Sequence, residues 1–212
     1  MKNTPPVVIE KATIKDMAKV AEVHVQCFHG YFISELGTTL IQRYYQEFLL
    51  EDDNLFLIAK ENENIIGFCM GYVQGKSDAR NSFIRNNRFL LTVKILEKGL
   101  QFNKIVINRV YLHVKYYFKA LFNSTKNISP KQLVDAKGDL LSIGVLEQYR
   151  GLGVSCQLVR KFEEMLMNKE INTYQLSCYS SNLVAIKFYQ KMGLVPIRIS
   201  NIETVFEKVL QE

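Results

Sequence analysis

The sequence predicts an α/β fold of the α+β type, one domain over residues 1–212 with a basic helical insertion at 76–130. Three observations carry that expectation. A β-rich hairpin spans Asn54–Lys60 and Asn64–Gln74 around Glu61-Asn62-Glu63. A mostly apolar run, Leu140–Leu146, leads through Gly151 and Gly153 into a helical row of Val154, Leu158, Phe162 and Leu166. Between these two blocks the composition turns basic and the apolar residues take helical spacing.

Taken in order, Pro5-Pro6 leads into a first strand, Val7–Ala12. Thr13 caps a helix whose apolar side includes Met17, Val20, Ala21 and His24. An aromatic loop follows, Cys27 to Phe32, and then a second helix, Thr38–Leu50, with Leu40, Ile41, Tyr44, Tyr45 and Phe48 on its apolar side. The hairpin comes next. After the glycine turn and its helix, Thr173–Tyr179 is a strand with Leu176 and Cys178 on one face. Asn182–Met192 is a helix that stops at Gly193, and Pro196–Ser200 and Glu203–Leu210 are two closing strands.

The insertion carries the positive charge. Residues 76–126 hold eleven basic residues against Asp78 and Glu97, a net +9, while the whole chain is +6. Two helices are expected, Ser82–Leu100 and Asn103–Asn123, the second with Phe102, Val106, Val110, Val114, Phe118 and Phe122 stepping by four. Four readings fit: a helical cover with solvated lysines, a lid over an anionic acceptor, a homodimer interface, and a membrane-surface helix pair. Nucleic acid is not expected as a partner, because the aromatics lie on the apolar stripe and not among the basic positions.

The segment Gln148-Tyr149-Arg150-Gly151-Leu152-Gly153 has its own chemistry. A strand that turns through two glycines into a helix leaves backbone N–H groups unpaired at the positive end of the helix dipole. Such a place suits a pyrophosphate, with glycines admitting close approach and Arg150 adding charge. A P-loop would need Gly-Lys-Ser/Thr, and a dinucleotide fingerprint would need a third glycine where Cys156 stands. The bland alternative is a tight turn with no ligand.

With that turn, the buried strand before it and Asn182-x-x-Ala185-x-x-Phe188-Tyr189-x-x-x-Gly193-Leu194 after it, the chain resembles the GNAT superfamily of acetyl-CoA-dependent N-acetyltransferases. The resemblance covers about the last 75 residues firmly and the first 75 more loosely; the insertion lies outside it. It implies a mixed, mostly antiparallel sheet with splayed strands flanked by helices. It also implies acetyl-CoA as co-substrate, held by Ile143 and Val145 along the strand, by Gln148, Arg150, Gly151, Leu152, Gly153, Val154 and Ser155 at the turn, and by Asn182. Asn182 equally suits a plain helix cap. Tyr189 is implied as the general acid beside the thioester sulfur, with a core aromatic as the alternative. Many members carry a glutamate on the strand before the turn. Here that strand reads Leu140-Leu141-Ser142-Ile143, so the base is His29, Glu35 or water.

Composition narrows the setting. At 48% hydrophobic and 23% charged, the chain is ordinary globular material. The N-terminus lacks a signal-like region, and Ile65–Gly75, the nearest approach to a membrane span, is too short and suits a strand. Four scattered cysteines and three isolated histidines form no metal-ligand spacing; they suit reduced thiols, hence the cytoplasm. The expected activity is transfer of an acetyl group to a primary amine of a small molecule, such as an amino sugar or another anionic acceptor. The alternative is a non-catalytic GNAT-like module whose insert binds a membrane surface or partner protein.

Overall fold

The computed structural model describes residues 6–51, 54–75, 78–101, 104, 107, 108, 111 and 137–210. Seven strands form one sheet in the order β1-β2-β3-β4-β5-β7-β6. They are β1 (Val7–Lys11), β2 (Leu55–Glu61), β3 (Asn64–Val73), β4 (Gly138–Val145), β5 (Thr173–Tyr179), β6 (Val195–Ile199) and β7 (Glu203–Val209). All neighbours run antiparallel except β4 and β5. The hairpin turns at Asn62, which takes a positive φ of 55°, a conformation asparagine tolerates.

Alternation along the strands divides the core into two layers. Leu55, Leu57 and Ala59 of β2 join the layer under α5 (Val154–Met167) and α6 (Leu183–Lys191), with Leu158, Phe162, Leu166 and Phe206. Phe56 and Ile58 join the opposite layer, under α1 (Met17–Cys27) and α3 (Thr38–Leu49), with Met17, Val20, Ile41, Tyr45 and Phe48. A third small cluster ties α4 (Ala79–Leu100) to α3 through Phe83, Leu36 and Leu40.

The structure departs from the sequence expectations at several ends. Thr13 opens a 3-10 turn, Ile14–Asp16, and its N–H and hydroxyl both donate to Asp16 Oδ2, at 2.8 and 2.6 Å; α1 begins only after that turn. The aromatic loop contains a one-turn helix, α2 (Phe32–Glu35), too short to show periodicity. β4 starts two residues early, at Gly138. A Cβ there would come within 2.7 Å of Leu166 and 3.0 Å of Tyr174, so this glycine belongs to a tightly covered strand and does not break it. The predicted helix Asn103–Asn123 lies mostly outside the described residues; of it, 104, 107, 108 and 111 are helical.

Candidate active site

The glycine turn is built from three fixed points. Leu146 N–H donates to Ile66 O at 2.9 Å, which ends the β3–β4 ladder. A 3-10 turn, Glu147–Tyr149, follows, and Tyr149 Oη donates to Glu61 Oε2 at 2.6 Å, tying the turn to the end of β2. Gly151 and Gly153 then take φ of 80° and 86°, the left-handed region that disfavours a Cβ. The first helical bond is Gln157 N–H to Gly153 O. Among the described residues, the backbone N–H groups from Gly151 to Cys156 have no protein acceptor. A Cβ on either glycine would meet nothing within 4 Å. The glycines are therefore required by the backbone's turn, and the space in front of them is open to a ligand.

Beside the turn the sheet parts. β4 and β5 pair only at Gly138/Tyr174 and Asp139/Gln175, whereas β4 stays paired to β3 as far as Val145 and β5 to β7 along its length. Because Leu146 bonds towards β3, the alternation of an antiparallel ladder gives Gly144 and Ser142 to β3 as well. It turns the peptide groups of Ile143 and Val145 into the gap. One of them is used: Arg150 Nε–H donates to Val145 O at 3.0 Å, so this guanidinium lies back against the end of β4, beside the Cys27 thiol. Burial raises the Cys27 pKa in spite of that neighbouring charge.

The far side of the gap is aromatic. Tyr189 is buried between Phe188 and Phe206, at ring-centroid distances of 5.4 and 5.8 Å. Burial, with the thiols of Cys178 and Cys69 and the phenol of Tyr31 nearby, pushes its pKa above the ordinary phenol value. Its hydroxyl has no hydrogen-bond partner among the described residues. Asn182 caps α6, its Oδ1 accepting from Ala185 N–H at 3.1 Å. Tyr31 reaches across from the α1–α2 loop to stack on Tyr179 at 5.2 Å, with its hydroxyl beside Asn182.

Residues 127–194 match the Acetyltransferase (GNAT) family. They contain the turn, the gap-facing strand and α6. In fold, the chain is similar to the PaiA N-acetyltransferase of Thermoplasma acidophilum, solved in complex with coenzyme A, which superposes with a TM-score of 0.58 over 96% of this chain and 99% of that one, at 17% identity. The likeness to the GNAT family thus rests on residues 127–194 in sequence and on the fold as a whole. PH1933 of Pyrococcus horikoshii OT3 gives a TM-score of 0.60 at 17% identity, covering 98% of this chain and 100% of its own. In sequence, the uncharacterized N-acetyltransferase YobR of Bacillus subtilis (strain 168) is 31% identical over 83 residues. That match takes in 39% of this chain and about a third (32%) of YobR.

Against the GNAT expectations, the fold brings Ile143, Val145, Gly151 to Ser155, Asn182 and Tyr189 to the two sides of one gap. Gln148 is exposed at the turn. His29 is exposed on the loop after α1 and has no hydrogen-bond partner among the described residues. Glu35 closes α2 and is partly buried. β4 does carry a carboxylate, Asp139, just before the apolar run Leu140–Leu146. It is held above the usual carboxylate range by burial and accepts from Tyr72 Oη at 3.3 Å. It stands six residues from Val145, about 20 Å along a strand, so it does not replace the missing glutamate.

Sequence reasoning missed one polar chain altogether. His24 Nδ1 meets Tyr45 Oη at 2.6 Å, and Tyr45 Oη donates on to Ser142 Oγ on β4 at 3.4 Å. His24 is buried, its Nε2 has no partner among the described residues, and desolvation lowers its pKa to about 4. The available signal was a histidine on an apolar helix face together with a serine inside an apolar strand.

Proposed function

We propose that this chain is an N-acyltransferase that moves the acetyl group of acetyl-CoA to the primary amine of a small, anionic acceptor, by direct attack. The observation that carries the reading is the row of unpaired N–H groups from Gly151 to Cys156 opening onto the parted edge of β4. Six donors at a helix N-terminus suit a pyrophosphate. The peptide groups of Ile143 and the N–H of Val145 suit an amide-bearing arm, which can take the place of the missing β5 partner.

In this reading the bound thioester supplies an activated acyl carbon. Val145 N–H stabilises the charge that develops on its carbonyl oxygen. The amine nitrogen forms a bond to that carbon, the carbon–sulfur bond breaks, and the amine proton passes to water. Tyr189 delivers its proton to the departing sulfur. The raised pKa keeps the phenol protonated across the neutral range, which a proton donor requires. Tyr31 and Tyr179 wall the acceptor side, and His29 and Glu35, on the same stretch of chain, are the side chains proposed to assist as base. The net +9 over residues 76–126 favours an anionic acceptor such as the nucleotide of an amino sugar and disfavours a polyamine.

The cytoplasm is the proposed setting, since the four cysteines are free thiols. The test is a screen of amines with acetyl-CoA, read by release of free thiol. Turnover with one acceptor class supports the reading. Coenzyme A binding with no turnover across amino sugars, peptides and polyamines would move the chain to the non-catalytic alternative.

A further inference from the structure

One face of α4 has no partner among the described residues. The other face is anchored: Phe83, Leu90, Leu91 and Ile95 pack towards Leu36, Leu40 and Tyr44, and Asn86 and Asn87 bond Glu47 and Arg43 at 3.0 and 3.1 Å. Pointing away from α3 is a row of Phe89, Val93, Leu96 and Leu100, spaced four, three and four apart and hence on one side of the helix. These four are exposed, Phe89 by 79% and Leu100 by 81%. Large apolar side chains so aligned are not an ordinary solvated surface.

Charge decides what covers them. Of the basic residues of α4, Arg85 and Arg88 are exposed near the row, whereas Lys94 and Lys98 are partly buried and Lys94 is paired with Glu97 at 2.8 Å. Arg85 heads the apolar row, four residues before Phe89, with its guanidinium exposed and only 3.6 Å from Asp78 as counter-charge. A second copy docked here would set two basic helices against each other. The surface of an anionic bilayer satisfies both, its acyl chains taking the apolar row and its phosphates the two arginines. No helix among the described residues is long and apolar enough to cross a bilayer, so the contact is with its surface.

We propose that α4 lies on the surface of an anionic phospholipid bilayer. Phe89, Val93, Leu96 and Leu100 enter the boundary between headgroups and acyl chains, and Arg85 and Arg88 meet the phosphates. This docking is independent of acyl transfer.

The test is co-sedimentation of the full chain with vesicles of phosphatidylglycerol and phosphatidylcholine in equal parts, and with phosphatidylcholine alone, at low salt. The chain pellets with the first and stays in solution with the second. Phe89→Ser with Leu96→Ser lowers the bound fraction about tenfold, and Arg85→Glu with Arg88→Glu does the same while removing the salt dependence. Both pairs are solvent-exposed, and thermal melting checks that the variants fold. Three results overturn the proposal: no pelleting with anionic vesicles, equal pelleting of the serine variant, or a dimer by light scattering that the serine variant dissolves. The last assigns the face to a second copy.

Discussion

His24 is kept neutral by its burial, and acid should therefore weaken the fold by an amount that its surroundings set. The ring lies against Phe28 and Phe68, at 4.7 and 6.1 Å, and desolvation takes its pKa from 6.5 to about 4. The folded chain binds this proton less readily than the unfolded chain does. Stability present above the unfolded value is thus lost as the pH falls through 6.5 towards about 4. The shift corresponds to about 2 kcal/mol at pH ~5 and about 3 kcal/mol at pH ~4. Urea unfolding of the wild type and of His24→Gln, measured from pH ~7 to ~5 at constant ionic strength, isolates the effect. Asp16 and Glu207, whose pKa values lie below the usual range, add acid sensitivity to both proteins and cancel in the difference. His24→Gln should be the less stable protein at neutral pH, because Tyr45 Oη loses its short contact. That gap should narrow by about 2 kcal/mol at pH ~5. If the two proteins lose stability in parallel, the ring is hydrated in the folded state and the reasoning fails.

Three further outcomes follow from the site and the core. Tyr189→Phe keeps the packing against Phe188 and Phe206, so kcat should fall by ~10²–10⁴ while the acetyl-CoA KM stays near wild type. A kcat within a factor of about two, with chemistry rate-limiting, would remove the general-acid role. Gly71→Ala should lose about 3 kcal/mol or more in urea unfolding. Its Cβ would stand 2.3 Å from Asp139 O and 2.6 Å from the Phe162 ring, neither free to move; an unchanged midpoint would show that the β3–β4 bulge can relax. Tyr31→Ala should raise the acceptor KM more than the acetyl-CoA KM, since it opens the contact with Tyr179, and equal changes in the two would place Tyr31 outside the acceptor side.

Periodic, half-buried elements were legible in the sequence, and irregular or tertiary ones were not. Thr173–Tyr179 is a strand to the residue, and the row from Val154 to Leu166 is a helix on its expected face. α4 begins three residues before its predicted start and ends where expected, at Leu100. The apolar run Leu140–Leu146 leaves out Gly138 and Asp139, yet both belong to β4: one is needed for close cover by Leu166 and the other finds the Tyr72 hydroxyl. The His24–Tyr45–Ser142 chain joins residues 21 and 97 positions apart, and only the packing of α1 and α3 over β4 makes it. Arg150 shows the same limit. Its place in the motif suggests charge at the turn, and the fold adds a bond that spacing does not show, from its Nε–H to Val145 O.

Calorimetric titration with coenzyme A tests the central claim most directly. The account predicts saturable one-to-one binding by the wild type. It predicts no measurable binding by Gly151→Asp or Gly153→Asp, which set a carboxylate into the open space before the unpaired N–H groups. Thermal melting verifies that both variants fold, since each pays a cost for a side chain at positive φ. Wild-type protein that takes up no coenzyme A, or folded variants that bind it as the wild type does, would contradict the account.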